Sequence, residues 1–216
     1  MLENLPEAIG HALERQRAGI EKIVFNGEPP PGVELGLIEV TSPAFAADSE
    51  LPQRYTADGA GVSPPLRWHK IPANAGTLAL IVEDADSPTP EPLVHGIVVD
   101  IDPRELGLVE GIFSGPPGAS PEKLGLNSYL LHGWLPPDPP PGHGVHRYAF
   151  QVFALTAGEP LSKSPGRREL SAAICERAIA KGCLIGTYRR DVAVKADQES
   201  ERSAEVTQMA DTVQTA

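Results

Sequence analysis

The sequence predicts a β-rich fold, a sandwich or barrel of mainly antiparallel strands, on three observations. Proline and glycine are abundant at 23 and 21 of 216 residues while aromatics make up only 5%, a composition of many turns that long helices, broken by interior proline, do not tolerate. Three segments read as strands: Leu78 to Asp84 (LALIVED), His95 to Ile101 (HGIVVDI) and His146 to Leu155 (HRYAFQVFAL). Each is rich in β-branched or aromatic residues and bounded by Pro, Gly or Asp. No helical period separates the first two, so their link is too short for a parallel crossover. Two packed sheets or a closed barrel bury such strands.

The elements follow in chain order. Leu2 to Phe25 places Leu5, Ile9, Leu13, Ile20 and Val24 at spacings of four or seven, which predicts an amphipathic helix kinked near Gly19. It has two readings, a helix packed on its own domain or a dimerisation arm that would make a homodimer. Gly27 to Gly32 is a proline-rich linker, and Leu35 to Thr41 a further strand. Pro103 to Gly144 holds much Gly and Pro with little periodicity, far beyond an ordinary connection of about 4–6 residues. Arg168 to Lys181 predicts a helix closed by Gly182, and Leu184 to Arg189 a last short strand. From Lys195 the chain turns polar, with only a weak helical pattern over Val206, Met209 and Val213. The expected organisation is an N-terminal extension with linker over 1–32, one domain over 33–194 and a polar tail over 195–216. Cys175 and Cys183, both within or beside the predicted helix, would stand about 12 Å apart at 1.5 Å per residue, beyond the reach of a disulfide. They are expected to be reduced packing residues.

The net charge of −11 excludes a nucleic-acid partner, whose phosphates need a basic surface, and opposes docking on an anionic bilayer. No apolar run approaches the roughly 18 residues of a membrane span. Early acids in MLENLPEAIGHALERQR do not fit a secretory signal, and a cytoplasmic location is expected.

Asp84 and Asp86 flank Ala85 directly after an apolar strand, and His95 and His146 each open another strand after a proline-rich loop. Acid and imidazole at strand ends leave three readings: a metal site, an acid–base pair, or an anion pocket in which imidazole and hydroxyl donors hold oxyanion oxygens. The short His spacings of zinc motifs are absent, as are a Gly-x-Ser-x-Gly elbow and a Gly-rich loop with lysine. No cofactor, metal or nucleophile with its base is indicated.

Five stretches carry a resemblance: LPQRYTADGAGVSPPLRW (51–68), LALIVEDADSP (78–88), His95, PPDPPPGHGVHRY (136–148) and KGCLIGTYRR (181–190). Together they resemble the phosphatidylethanolamine-binding protein family, including its bacterial Raf kinase inhibitor-like branch, over about residues 37 to 191. The resemblance implies an all-β sandwich of two antiparallel sheets with Greek-key connections and small peripheral helices. At one end lies a pocket for phosphate, acetate or a phospholipid head group. On it, Asp84 and Asp86 match the family's acidic pair, His95, His146 and Tyr148 its pocket histidines and tyrosine, and Pro137 and Pro139 its proline-rich wall. Asp acceptors would fix the imidazole tautomers, or Asp86 accept from an ethanolamine ammonium. Arg147 alternates with His146 and Tyr148 along a strand and so faces the other side, where an ion pair is expected. Trp68 is read as core or pocket floor.

The sequence departs from the family at several positions. Ala85 stands for a middle proline and Ser87 for an alanine, which predicts a less rigid turn. Gly96 stands for a tryptophan and Leu93 for an aromatic, which predicts a thinner wall. Pro136 stands for a glycine and removes a backbone N–H. The expected function is non-enzymatic binding of a small phosphorylated or carboxylated ligand in a regulatory role. The alternative is an interaction module that inhibits a kinase or serine protease, and a hydrolase using Asp86 and His146 ranks last.

Overall fold

The chain was analysed as a computed structural model, which describes residues 7–114 and 123–190. Nine strands are found there: β1 (Gly36–Leu37), β2 (Glu39–Thr41), β3 (Ser49–Glu50), β4 (Leu66–His69), β5 (Thr77–Asp84), β6 (Leu93–Ile101), β7 (Gly107–Leu108), β8 (His146–Leu155) and β9 (Ala178–Tyr188). The helices are α1 (Glu7–Leu13) and α2 (Arg167–Arg177), with short 3₁₀ turns between strands. The large sheet runs β1-β9-β8-β5-β6 with β3 also on β9, and the small sheet runs β2-β4-β7. The long strands pair antiparallel, but β1 and β3 join β9 in parallel, a departure from the expected purely antiparallel sheets. Strands β4 to β8 and α2 lie between these short segments and β9 in the chain, so the long connection a parallel pair requires is present.

The main core lies between the sheets, where Val40, Leu66 and Trp68 meet Leu80, Phe150 and Leu184. A second layer covers the opposite face of the large sheet. There Ile81, Ile97 and Phe153 pack against Val24 of the N-terminal segment and Leu170 and Ile174 of α2. Burial on both faces is why β5 and β8 read as continuous apolar runs rather than alternating ones. Trp68 belongs to this core, its Nε1 donating to the Glu105 carbonyl at 2.7 Å.

Two predicted helices are corrected. The helix expected over 168–181 ends at Arg177, and β9 begins at Ala178 with φ −67° and ψ 136°. The AIAK stretch favours helix locally, but the ladder from Leu155↔Ala178 to His146↔Tyr188 satisfies its backbone along β8, and long-range pairing prevails over propensity. Gly182 marks a close approach instead of a helix end: a Cβ there would sit 2.2 Å from the Ile38 carbonyl. Cys175 is therefore exposed on α2 and Cys183 half-buried on β9, both free, so only the second is a packing residue.

The N-terminal helix expected over 2–25 is also not one helix. After α1 the chain runs through 3₁₀ turns at Ile20–Lys22 and Val24–Asn26, with Gly19 at φ 107°. Ala18, Ile23 and Val24 are buried against the chain's own core, which supports the reading of a segment packed on its own domain. Buried Glu83 clamps it, accepting from the Val24 N–H at 2.8 Å and from Arg167 Nε at 2.6 Å, while Arg167 Nη2 reaches the Lys22 carbonyl. The predicted tail over 195–216 lies outside the described residues. Among the described residues no helix is long and apolar enough to cross a membrane.

Candidate functional site

One end of the large sheet gathers the chemistry. Asp84 closes β5 and pairs in register with Tyr148 of β8, whose first residue His146 pairs with Tyr188 at the end of β9. His95 enters from β6 at a β-bulge: Val82 pairs with Gly96 but Glu83 with Val94, leaving His95 as the extra residue. Bulges of this kind re-aim a side chain. A pocket of about 320 Å³ opens here. Asp84, His95, Asp138 and His146 supply its polar lining, and Leu93, Leu131, Leu135, Pro136, Pro139 and Pro140 most of its apolar wall.

His95 is 2% exposed. Its Nδ1 lies 2.6 Å from the Leu135 carbonyl, and since a carbonyl only accepts, Nδ1 carries the proton. Its Nε2 has no hydrogen-bond partner. Burial pushes the imidazole below its ordinary range against the pull of Asp84, so the neutral ring presents Nε2 as an acceptor. Tyr148 packs edge-on to the His95 ring with centroids 5.1 Å apart. Its buried hydroxyl also lacks a partner, and burial raises the phenol well above its usual value, with Asp84 and Asp138 adding to the shift.

His146 is engaged at both nitrogens. Its Nδ1 is 2.7 Å from Asp84 Oδ2 and its Nε2 2.6 Å from His143 Nδ1, while His143 Nε2 donates to the Leu13 carbonyl at 2.8 Å. The three hydrogen bonds form one line from Asp84 through His146 and His143 to the backbone of the N-terminal segment. The other carboxylate of the lining, Asp138, is paired with Arg190 at 2.7 Å, and Arg190 also holds Asp58. Both carboxylates of the lining are thus engaged, Asp84 by His146 and Asp138 by Arg190.

The two remaining sequence candidates stand behind the lining. Asp86 accepts from Arg147 Nε at 2.7 Å, Nη2 at 2.8 Å and the Arg147 N–H at 2.9 Å, with Arg17 Nη1 at 3.0 Å. Burial pushes its carboxyl up, but the arginines outweigh this and hold it below the usual carboxylate range. A saturated Asp86 has no lone pair turned to a ligand, which corrects the ammonium-acceptor role expected for it. Arg147 makes the ion pair expected of it. Pro137 is buried and its carbonyl accepts from the Ala57 N–H, so the wall is formed by its neighbours Pro136, Pro139 and Pro140. Pro136 brings no N–H, and the Leu135 N–H is taken by the His95 carbonyl at 2.7 Å.

The departures from the family pattern have structural counterparts. Ala85 donates its N–H to the Arg147 carbonyl at 3.0 Å, a bond proline cannot make. Ser87 Oγ ties the Asp84 carbonyl, the Leu93 N–H and Thr89 Oγ1 together, so hydrogen bonds hold the turn expected to be loose. The space at Gly96 is filled: a Cβ there would lie 2.8 Å from the Phe113 ring, which packs on Trp134 at 5.6 Å. Tyr129 and Leu131 stand beside Leu93 in the pocket lining, so the wall is not the thin one expected. Sequence reasoning passed over His143 and Arg17. The first stands three residues before His146 in GHGVHRY, a visible signal, whereas nothing local marks the second.

Comparison with known proteins agrees with this architecture. The family profile described as phosphatidylethanolamine-binding protein matches residues 41–189. A UPF0098 protein of Aquifex aeolicus is 36% identical over 157 residues, covering 72% of this chain and 90% of its own length. One from Pyrococcus abyssi is 37% identical over 159 residues, 71% of this chain and 86% of its own. The crystal structure of CT736 from Chlamydia trachomatis, titled a phosphatidylethanolamine-binding protein homolog, superposes with a TM-score of 0.64 at 33% identity, covering 72% of this chain and 99% of that one. Escherichia coli YbcL shares the fold at a TM-score of 0.65 and 23% identity, covering 71% and 98%.

Proposed function

The chain belongs to the phosphatidylethanolamine-binding protein family, and on that premise we propose that it is a non-enzymatic binding protein. It holds a small anion or phosphoryl head group, of the phosphate or phosphorylethanolamine type, in the pocket lined by Asp84, His95 and His146. The observation that carries this reading is the buried His95 Nε2 without a partner, in a lining whose carboxylates are already engaged by His146 and Arg190. An unpaired buried polar atom costs about 1–3 kcal/mol, and a ligand that pairs it recovers that cost. His95, with Tyr148 behind it, contacts the ligand; Asp84, His143 and His146 hold the pocket's shape and charge. The hydrolase alternative fits less well, because both nitrogens of His146 are engaged and the Ser87 hydroxyl bonds the turn rather than a base. Two free thiols suit a reducing compartment, and we place the protein in the cytoplasm.

The test is a titration with phosphorylethanolamine and with inorganic phosphate, following the histidine ring signals by NMR. Saturable shifts at His95 are expected, with smaller ones at His146 that are lost in His95→Ala. No shift at millimolar ligand would reject the reading.

A second reading has its own observation. Tyr129, Leu130 and Leu131 are 45%, 77% and 62% exposed at the pocket mouth, with Leu130 at φ 59°. Buried Asn127 braces this tip, its Oδ1 accepting from the Tyr129 and Leu131 N–H groups. A rigid apolar tip suits a protein partner, and inhibition of a kinase or serine protease would act through it. Leu130→Asp should then abolish inhibition while leaving anion binding intact.

A further inference from the structure

We propose that this pocket selects oxyanions that bring their own proton donor, a P–OH foremost, and that His95 Nε2 is the selecting atom. The proposal rests on the anion-binding reading and names the ligand class within it. His95 Nδ1–H is committed to the Leu135 carbonyl at 2.6 Å. Nε2, buried and without a partner, is left as a lone pair in the lining. A fully deprotonated oxyanion would set its own lone pairs against that nitrogen, whereas a P–OH donates to it.

The groups around His95 decide when this holds. Asp84 of β5 and Asp138 of the loop before β8 favour the charged ring, while burial and His146 of β8 oppose it more strongly. Tyr148, also on β8, stays a neutral phenol, and Arg190 is occupied by Asp58 and Asp138. The ring is therefore neutral at neutral pH, and as pH falls it gains a proton and becomes a donor. Inorganic phosphate keeps at least one P–OH throughout neutral solution, and sulfate carries none. A phosphate monoester loses its last P–OH with a pKa of about 6, so its affinity falls above that value unless another group, such as an ammonium, donates in its place. A phosphodiester without such a group lacks the donor altogether.

Calorimetric titration of the full chain with inorganic phosphate, sulfate and dimethyl phosphate tests this. Near neutral pH phosphate is expected to bind roughly ten- to hundredfold tighter than the other two. In mildly acid solution the sulfate gap narrows as His95 charges. His95→Gln, whose amide can donate or accept, brings the phosphate-to-sulfate ratio toward one, while Tyr148→Phe weakens both and leaves the ratio in place. Should His95→Gln fail to fold, the ¹⁵N shift of Nε2 in the unaltered protein reports the same property: an unprotonated ring nitrogen is expected at neutral pH. An imidazolium there, or sulfate bound as tightly as phosphate, would overturn the selection while the anion pocket stands. Binding of none of the three would remove both.

Discussion

His143 Nδ1 lies 2.6 Å from His146 Nε2, joining a proline-rich loop to the first residue of β8 within a hydrogen-bonded line from the Asp84 carboxylate to the Leu13 carbonyl. Through that line the floor of the pocket and the N-terminal segment share one set of protons. Arg17 reinforces the junction, donating to the carbonyls of His143 and Val145 at 2.9 and 2.8 Å.

Replacing His143 by Leu leaves buried His146 Nε2 without its partner and removes the ring's bond to the Leu13 carbonyl, which keeps the Gln16 N–H. The first loss costs about 1–3 kcal/mol, and the denaturation midpoint should fall accordingly. Amide exchange over residues 7–17 should quicken while that of β5 and β8 stays slow. A downfield N–H···N proton resonance, present in the parent and absent in the variant, would identify the shared proton, and unchanged exchange over 7–17 would show that the line does not tether the segment.

Acid should destabilise the fold in two stages. Burial lowers the His95 and His143 pKa values, so below the unfolded value of about 6.5 the unfolded chain binds more protons than the folded one. The stability these rings contribute is complete above that pH and is lost as pH falls toward their folded values. Asp86, also lowered, has the same sign further down: its contribution is present above the ordinary carboxylate pKa of about 3.9 and is lost below it. Urea midpoints across this range would show the first stage, reduced in His95→Gln; a midpoint unchanged from neutral pH down to mild acid would contradict it.

Asp86→Ala separates a structural carboxylate from a ligand. It removes the acceptor of Arg17 and Arg147 and should cost about 2–4 kcal/mol of stability. Because Asp86 stands behind the lining, phosphate affinity of the folded fraction should stay within about twofold, well under the ~1.4 kcal/mol of a tenfold change. A tenfold loss would return Asp86 to the binding residues.

Gly96→Ala drives a methyl toward the Phe113 ring and should destabilise by about 1–3 kcal/mol as an overpacked site. Phe113→Leu in the same chain should recover part of that loss, a coupling read from a double-mutant cycle. Strict additivity would mean that the ring and the glycine do not share the space.

Much of this architecture is legible along the chain. The runs at 78–84, 95–101 and 146–155 became β5, β6 and β8 within a residue or two, because strands buried on both faces are marked by composition alone. Asp84, His95 and His146 stand at strand ends next to turns, and all three line one pocket. The helix expected at 168–181 overran, because the AIAK stretch is a fair helix former until β8 lies beside it. Alternation correctly turned Arg147 away from His146 and Tyr148, but no local pattern says which carboxylate it meets.

The sequence by itself determined the β class, the family, and the residue types that cluster at one end of the large sheet, since these follow from periodicity and motif order within short stretches. Only the tertiary structure decided which of those residues have a lone pair or proton to offer. Asp86 and His146 are consumed by Arg147, Arg17 and His143, and His95 Nε2 is left over. A hydrogen bond depends on angstrom-scale distances between segments far apart in the chain, and those distances exist only once the sheets have closed on each other.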